Sequence, residues 1–208
     1  MTSIEVKNDS KDKDGDTTEN FLILVNREHE LSKDYMPKNL VEVNISFSPG
    51  TASQQRMMQK TAAKALETLF AQAENDGIIL YGVSGYRSYD YQKKIYDRKV
   101  NAVGRTEADK YVACPGQSEH HTGLAMDVIN EEGVSKLLTA SFGETKEGQW
   151  LNDNAHEFGF IIRYPEGKED ITGYNYEPWH LRYVGKEAAR EIMSRGLVLE
   201  EYLEEYTD

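Results

Sequence analysis

The stretch Ser118-Glu119-His120-His121-Thr122-Gly123-Leu124-Ala125-Met126-Asp127-Val128-Ile129 combines a clear strand pattern with a dense group of reactive side chains. From Gly123 to Ile129 the residues alternate. Leu124, Met126 and Val128 share one side, while Ala125, Asp127 and Ile129 share the other. Such alternation marks a strand, here with an aspartate set among apolar neighbours. Upstream, Met58, Ala62, Leu66, Leu69 and Phe70 recur at three- and four-residue spacing. They predict a helix within residues 51–75, stopped at Asn75-Asp76-Gly77. Ile78 to Val83 reads as a short buried strand closed by Ser84-Gly85, and a second helix is expected from Ser88 to about Val100. Phe21 to Val25 reads as a first strand and residues 27–50 as an extended, loop-rich wrap. Downstream, a helix over Trp150–Phe158 stops at Gly159 and leads to a strand, Phe160–Tyr164. A final strand covers Trp179–Val184, and a final helix runs from Lys186 to Arg195, ending at Gly196. Helices before, between and after short strands place the chain in the α+β class, as one domain with a small, mostly antiparallel sheet flanked by helices.

The 208 residues contain 24 Lys+Arg against 36 Asp+Glu, a formal net charge of −12. That excess of acid argues against nucleic acid as a partner, which needs a Lys/Arg footprint, and against an anionic membrane surface. No apolar run approaches the ~20 residues that span a bilayer, and residues 1–20 hold no hydrophobic stretch that would act as a signal. This Asp/Lys/Thr/Ser-rich segment reads as disordered or as a linker, leaving residues 21–208 as the folded domain. Cys114 is the single cysteine, so the fold does not depend on an internal disulfide.

Three groups of residues can carry chemistry. His120 and Asp127 are seven apart, so in one straight strand they would lie on opposite faces; they converge only if the chain bends, which Gly123 permits. Imidazole with carboxylate suits zinc, and spacing alone leaves both a metal site and an ordinary hydrogen-bonded pair open. In Glu177-Pro178-Trp179-His180-Leu181-Arg182-Tyr183, Pro178 excludes a helix. An extended chain puts His180 and Arg182 on one face and Trp179, Leu181 and Tyr183 on the other. A carboxylate near a metal but off it can take a proton from water and pass it to a leaving amine, a task that suits Glu177. Arg87 follows a strand-to-helix glycine turn, where its planar fork can point at a carboxylate or a developing oxyanion; Gln92, five residues on, can face the same cleft. Tyr174 and Tyr176, just before Glu177, are candidates for aromatic cleft walls.

Together Ser84–Gln92 (SGYRSYDYQ), Pro115–Val128 (PGQSEHHTGLAMDV) and Trp150–Gly185 resemble the zinc D-alanyl-D-alanine carboxypeptidases of the VanY type, a group that includes related L,D-carboxypeptidases and bifunctional dipeptidase/carboxypeptidases. The resemblance implies one zinc ion per chain, bound by His120, Asp127 and His180 at the sheet cleft. It makes Glu177 the base that deprotonates the zinc-bound water, and Arg87 the group that polarises the scissile carbonyl or binds the substrate carboxylate. It places Gln92, Ser118 and Tyr164 along the substrate cleft. The implied activity is D,D-carboxypeptidase removal of C-terminal D-Ala from a peptidoglycan stem peptide or its precursor. The alternatives are L,D-cleavage of the tetrapeptide stem and a catalytically silent zinc-containing module that binds wall peptide or a protein partner. Retention of Glu177 favours an enzyme. A monomer is expected, acting at the extracytoplasmic face of a bacterial envelope as a trimmed soluble domain with residues 1–20 as its stalk; cytoplasmic action is the alternative. One departure is His121, where the family usually has glutamine; the Ser-x-His spacing selects its neighbour His120 as the ligand. Accordingly, His121→Gln is expected to retain stoichiometric zinc and D-Ala release, measured by metal analysis and product assay, whereas a zinc-free variant would reverse that choice.

Overall fold

In the computed structural model, which describes residues 20–135 and 138–205, the chain order is as follows. Strands β1 (Leu40–Glu42) and β2 (Met57–Gln59) pair antiparallel and lead into α1 (Lys60–Asn75). Then come β3 (Tyr81–Ser84), α2 (Tyr89–Val103), α3 (Arg105–Ala108), β4 (Ala125–Ile129) and α4 (Glu131–Ser135). The remainder is α5 (Lys146–Asn154), β5 (Phe160–Tyr164), α6 (Glu169–Thr172), β6 (Glu177–Tyr183), α7 (Lys186–Arg195) and α8 (Leu199–Glu204). Four strands form the central sheet in the order β3-β4-β6-β5, every neighbouring pair antiparallel. The protein is therefore a single α+β domain, as its alternating patterns predict. Among the described residues no helix is long and apolar enough to cross a membrane. The polar lead read as a linker lies, except for Asn20, outside the described residues.

The two faces of the sheet have opposite chemistry. Met126 and Val128 of β4, Leu181 and Tyr183 of β6 and Phe160 of β5 pack with Ala62, Leu66, Leu69 and Ala73 of α1 and Leu151 of α5 in the main core. The opposite face carries Asp127, His180, Arg182 and Arg163, all nearly devoid of solvent contact. Ile161, on that side, joins a second apolar cluster with Ala189 and Ile192 of α7 and Leu199 and Leu203 of α8. A register irregularity between Ile162 and Tyr164 breaks the alternation of β5, and both Arg163 and Tyr164 end beside the buried polar groups.

Several expectations need correction. Phe21–Val25 is not a strand: it is turn and irregular chain, because its carbonyls are used by a side chain rather than a neighbouring strand. Arg182 Nη2 donates to the carbonyls of Phe21 (2.9 Å) and Ile23 (2.7 Å), while Leu22 and Val25 remain buried. The helix expected within 51–75 begins only at Lys60. Ser53–Arg56 is a 3₁₀ turn and Met57–Gln59 is strand. The backbone of that segment is occupied by tertiary bonds, from Tyr86 N to Met57 O (2.8 Å) and from Gln59 N to Gly123 O (2.8 Å). The wrap over 27–50 contains β1, and the short helices α3, α4, α6 and α8 carry too little periodicity to be read locally.

The bend that spacing demanded at Gly123 is present. Glu119–Thr122 forms a 3₁₀ turn, and Gly123 ends it in the left-handed conformation at φ 71°. Thr122 Oγ1 donates to Glu119 O (2.6 Å) and accepts from Leu124 N (3.0 Å), and Gln59 Nε2 donates to Thr122 O (2.8 Å). An added Cβ on Gly123 would also meet Leu40 Cδ2 at 2.8 Å. Gly123→Ala is expected to cost about 1–2 kcal/mol, mostly as left-handed backbone strain, and to lower Tm by several degrees in thermal unfolding.

Candidate active site

Antiparallel register brings the first two candidate ligands together. Asp127 of β4 lies directly opposite His180 of β6, and both side chains leave the same face of the sheet. His180 Nδ1 is 3.0 Å from Asp127 Oδ1. The turn that ends at Gly123 folds His120 back over the same carboxylate, with Nε2 at 3.3 Å from Asp127 Oδ2. The two imidazoles meet edge to face, their centroids 4.8 Å apart. His120, Asp127 and His180 each offer a ligand atom within 4.8 Å of the others, and all three are buried. The far nitrogens are engaged by protein acceptors: His120 Nδ1 lies 2.8 Å from Gly85 O and His180 Nε2 lies 3.3 Å from Glu119 Oε2. That leaves one nitrogen of each ring and one carboxylate facing a common point, a donor set whose composition fits zinc.

Charge in this buried site is uneven. Burial works against ionisation of Asp127, but His120, His180 and Arg87 outweigh it and hold the carboxyl well below its ordinary range. Burial, reinforced by Arg87, pulls His120 down to about 4, so its ring is neutral and ready to ligate. Burial also opposes a charge on His180, yet the flanking carboxylates of Asp127 and Glu119 raise it to about 9. A metal at this point therefore has to displace a proton from His180.

Glu177 opens β6, three residues before His180, with a carboxylate oxygen 4.0 Å from His180 Nδ1. Burial raises its carboxyl to about 7, partly countered by His180. Arg87 follows the Ser84-Gly85 turn, and Ser88 caps α2 behind it, accepting from Tyr91 N. Its guanidinium donates to Ser84 Oγ (2.8 Å), Gln92 Oε1 (3.3 Å) and Asp127 Oδ2 (2.7 Å). Gln92 is itself buried, and its amide donates to Ala113 O at 2.8 Å, so both its ends are held by protein. Ser118 is buried at the start of the His120 turn. Tyr164 packs its ring on His180 (5.0 Å) and on Tyr174 (4.7 Å), whereas the Tyr176 hydroxyl lies over Gly143. His121 points elsewhere: its ring lies among Tyr35, Tyr86 and Tyr89 and is not part of the His120–Asp127–His180 group.

Sequence reading missed Glu119. Its side chain has no solvent exposure, and Oε1 accepts from Arg163 Nε (2.7 Å) and Arg182 Nη1 (2.6 Å). Arg163 in turn forks onto both oxygens of Glu200 at 2.8 and 2.6 Å. Burial disfavours charge on Glu119, but Arg182 and Arg163 keep it strongly ionised. The available signal was an arginine within each of two apolar strands, since a buried guanidinium requires an acid.

The raised Glu177 pKa has a consequence for stability. Its ordinary value is 4.5 and its folded value about 7, so the unfolded chain releases the proton first as pH rises. Stability is fully present below pH 4.5 and falls between about 4.5 and 7, by about 3 kcal/mol. In chelator-treated protein, Glu177→Gln is expected to match wild-type Tm at pH 4 and exceed it above pH 7. Equal pH dependence for the two proteins would contradict the assignment.

The family model for VanY, D-alanyl-D-alanine carboxypeptidase, matches residues 55–186. The chain is 51% identical over 201 residues to YodJ of Bacillus subtilis (strain 168), covering 95% of this chain and 73% of that protein. It is 39% identical over 203 residues to the D-alanyl-D-alanine carboxypeptidase of Enterococcus faecalis (strain ATCC 700802 / V583), covering 91% and 68%. The structure superposes on the LdcB LD-carboxypeptidase with a TM-score of 0.82 at 49% identity, covering 95% of this chain and 94% of the other. It superposes on a variant of the vancomycin resistance D,D-pentapeptidase VanY in complex with Zn(II) with a TM-score of 0.72 at 38% identity, covering 89% and 99%. The chain belongs to the VanY D-alanyl-D-alanine carboxypeptidase family and is a carboxypeptidase.

Proposed function

We propose that this carboxypeptidase releases the C-terminal D-alanine of a peptidoglycan stem peptide, with zinc held by His120, Asp127 and His180 and with Glu177 as general base. The observation that carries this reading is the convergence of three buried donors within 4.8 Å, with the Glu177 carboxylate 4.0 Å from one of them. Zinc in such a site supplies Lewis-acid polarisation and lowers the pKa of water towards about 7. Glu177 takes a proton from the attacking water and returns it to the departing D-Ala amine; a carboxyl poised near 7 serves both directions at neutral pH. Arg87, aligned by Ser84 and Gln92, presents its guanidinium to the scissile carbonyl or to the substrate carboxylate. Ser118 and Tyr164 line the cleft, with Gln92 behind Arg87. A cell-wall stem peptide as substrate supports action at the extracytoplasmic face of the cell envelope, and a precursor as substrate supports action in the cytoplasm.

Cleavage after a D-residue in the pentapeptide is the first reading, in keeping with the family description. A second reading, L,D-cleavage of the tetrapeptide, is favoured by the higher similarity to the LdcB LD-carboxypeptidase than to VanY. Both reactions release D-Ala and use the same proton transfers. They differ in the pocket for the penultimate residue, so pentapeptide and tetrapeptide assayed side by side separate them.

Glu177→Gln is expected to retain zinc and lose about 10⁴-fold in D-Ala release at saturating peptide, because an amide of the same shape accepts no proton. Turnover within threefold of wild type in fully zinc-loaded variant would overturn the mechanism. His180→Ala is expected to lose zinc, since two remaining ligands rarely hold it.

A further inference from the structure

We infer that Glu119 is a positioning residue for the metal site: it sets the tautomer and ring orientation of His180 so that Nδ1, and not Nε2, is presented beside Asp127 and His120. This rests on the ligand set proposed above and goes beyond it, because Glu119 itself reaches no candidate ligand position.

The two oxygens of Glu119 serve different partners. Arg163 Nε and Arg182 Nη1 both donate to Oε1, at 2.7 and 2.6 Å, leaving Oε2 to His180 Nε2 at 3.3 Å. Both ring nitrogens face ionised carboxylates, which only accept: Nε2 faces Glu119 and Nδ1 faces Asp127 Oδ1 at 3.0 Å, so without metal each carries a hydrogen. Asp127 belongs to the proposed ligand set and Glu119 does not, so the hydrogen retained when metal binds is the one on Nε2, and Nδ1 gains the lone pair. His120 has the mirror arrangement. Its Nδ1 faces the carbonyl of Gly85 at 2.8 Å, another group that only accepts, so its lone pair lies on Nε2, toward Asp127 Oδ2 at 3.3 Å. The two histidines thus offer opposite nitrogens because their acceptors stand behind opposite ring edges. A backbone carbonyl performs this task for His120 and a side chain performs it for His180.

Glu119 is able to hold a ring in place because it cannot move. Its two guanidinium partners have no solvent exposure, and each is fastened at its far end. Arg163 is forked on Glu200 of α8, and Arg182 is bound to the carbonyls of Phe21 and Ile23. Tyr164 closes the remaining side, its ring 5.0 Å from that of His180.

Glu119→Gln tests the assignment. Its amide oxygen is expected to turn to the guanidiniums, leaving the NH₂ to face His180 Nε2. That nitrogen must then accept, the ring proton moves to Nδ1, and the ligating lone pair is lost. Zinc affinity, measured by competition with a chromogenic chelator, is expected to fall 10–100-fold. Glu200→Gln serves as the control, because it loosens the same buried cluster without touching the bond to His180. It should lower Tm and leave zinc affinity within twofold of wild type. In zinc-loaded wild-type protein, ¹⁵N NMR of the imidazoles should show hydrogen on Nε2 of His180.

Wild-type zinc affinity in folded Glu119→Gln would overturn the inference, as would hydrogen on Nδ1 of His180 in the zinc-loaded protein. If Glu119→Gln does not fold, the NMR assignment decides. Retention of zinc by His180→Ala would instead overturn the ligand set, so the two failures are distinct.

Discussion

A carboxylate cut off from water has to be answered by cations and hydrogen-bond donors, and the answer given to Glu119 organises much of this molecule. Arg163 and Arg182 reach it from adjacent strands, and His180 reaches it from the site side. Each arginine then has donors left over. Arg163 spends them on Glu200 of α8, and Arg182 on two carbonyls of the chain before β1. One buried group therefore ties the sheet, the chain before β1 and α8 together behind the candidate site. Charges of this kind contribute little net stability when paired, but breaking one pair leaves its partner uncompensated at a cost of about 3–5 kcal/mol.

Three neighbouring carboxylates experience this environment differently. Asp127 sits between two imidazoles and a guanidinium, and Glu119 sits against two guanidiniums, so both stay ionised in spite of burial. Glu177 is close to the same groups without a comparable partner, and burial prevails, raising it to about 7. Environments that push like groups apart in pKa leave two of these carboxylates ionised and one able to exchange a proton near neutral pH. At neutral pH the burial that raises Glu177 is a cost to stability.

The sheet supplies rigidity where positions must be held closely, and loops supply the rest. Asp127 and His180 face each other across paired strands, so their separation follows from strand geometry. His120 and Arg87 come from turns, and each turn is braced. The Gly123 bend is held by Gln59 and Thr122, and the segment around Gly85 is held by Gln55 and Met57 backbone carbonyls. An added Cβ at Gly85 would lie 2.5 Å from Met57 O, which explains why that crossing point has no side chain.

Local sequence was sufficient wherever a pattern repeats within one element. The alternation of β4, the apolar spacing of α1 and the glycine stop after α7 were all legible, because each depends on neighbours a few residues away. The types, order and intervals of His120, Asp127, His180 and Glu177 also stand out locally, and the fold brings the first three within 4.8 Å of one another. Strand pairing of Met57–Gln59 and the irregular path of Phe21–Val25 were not, because their backbone partners lie far along the chain. Glu119 was hidden for the same reason: Arg163 and Arg182 are 44 and 63 residues away, and only the register of β5 on β6 sets their side chains together. Residue chemistry by itself determined which groups can bind a metal or carry a proton. Tertiary structure decided which nitrogen of each histidine faces the others, because that choice depends on the acceptor the fold places behind each ring.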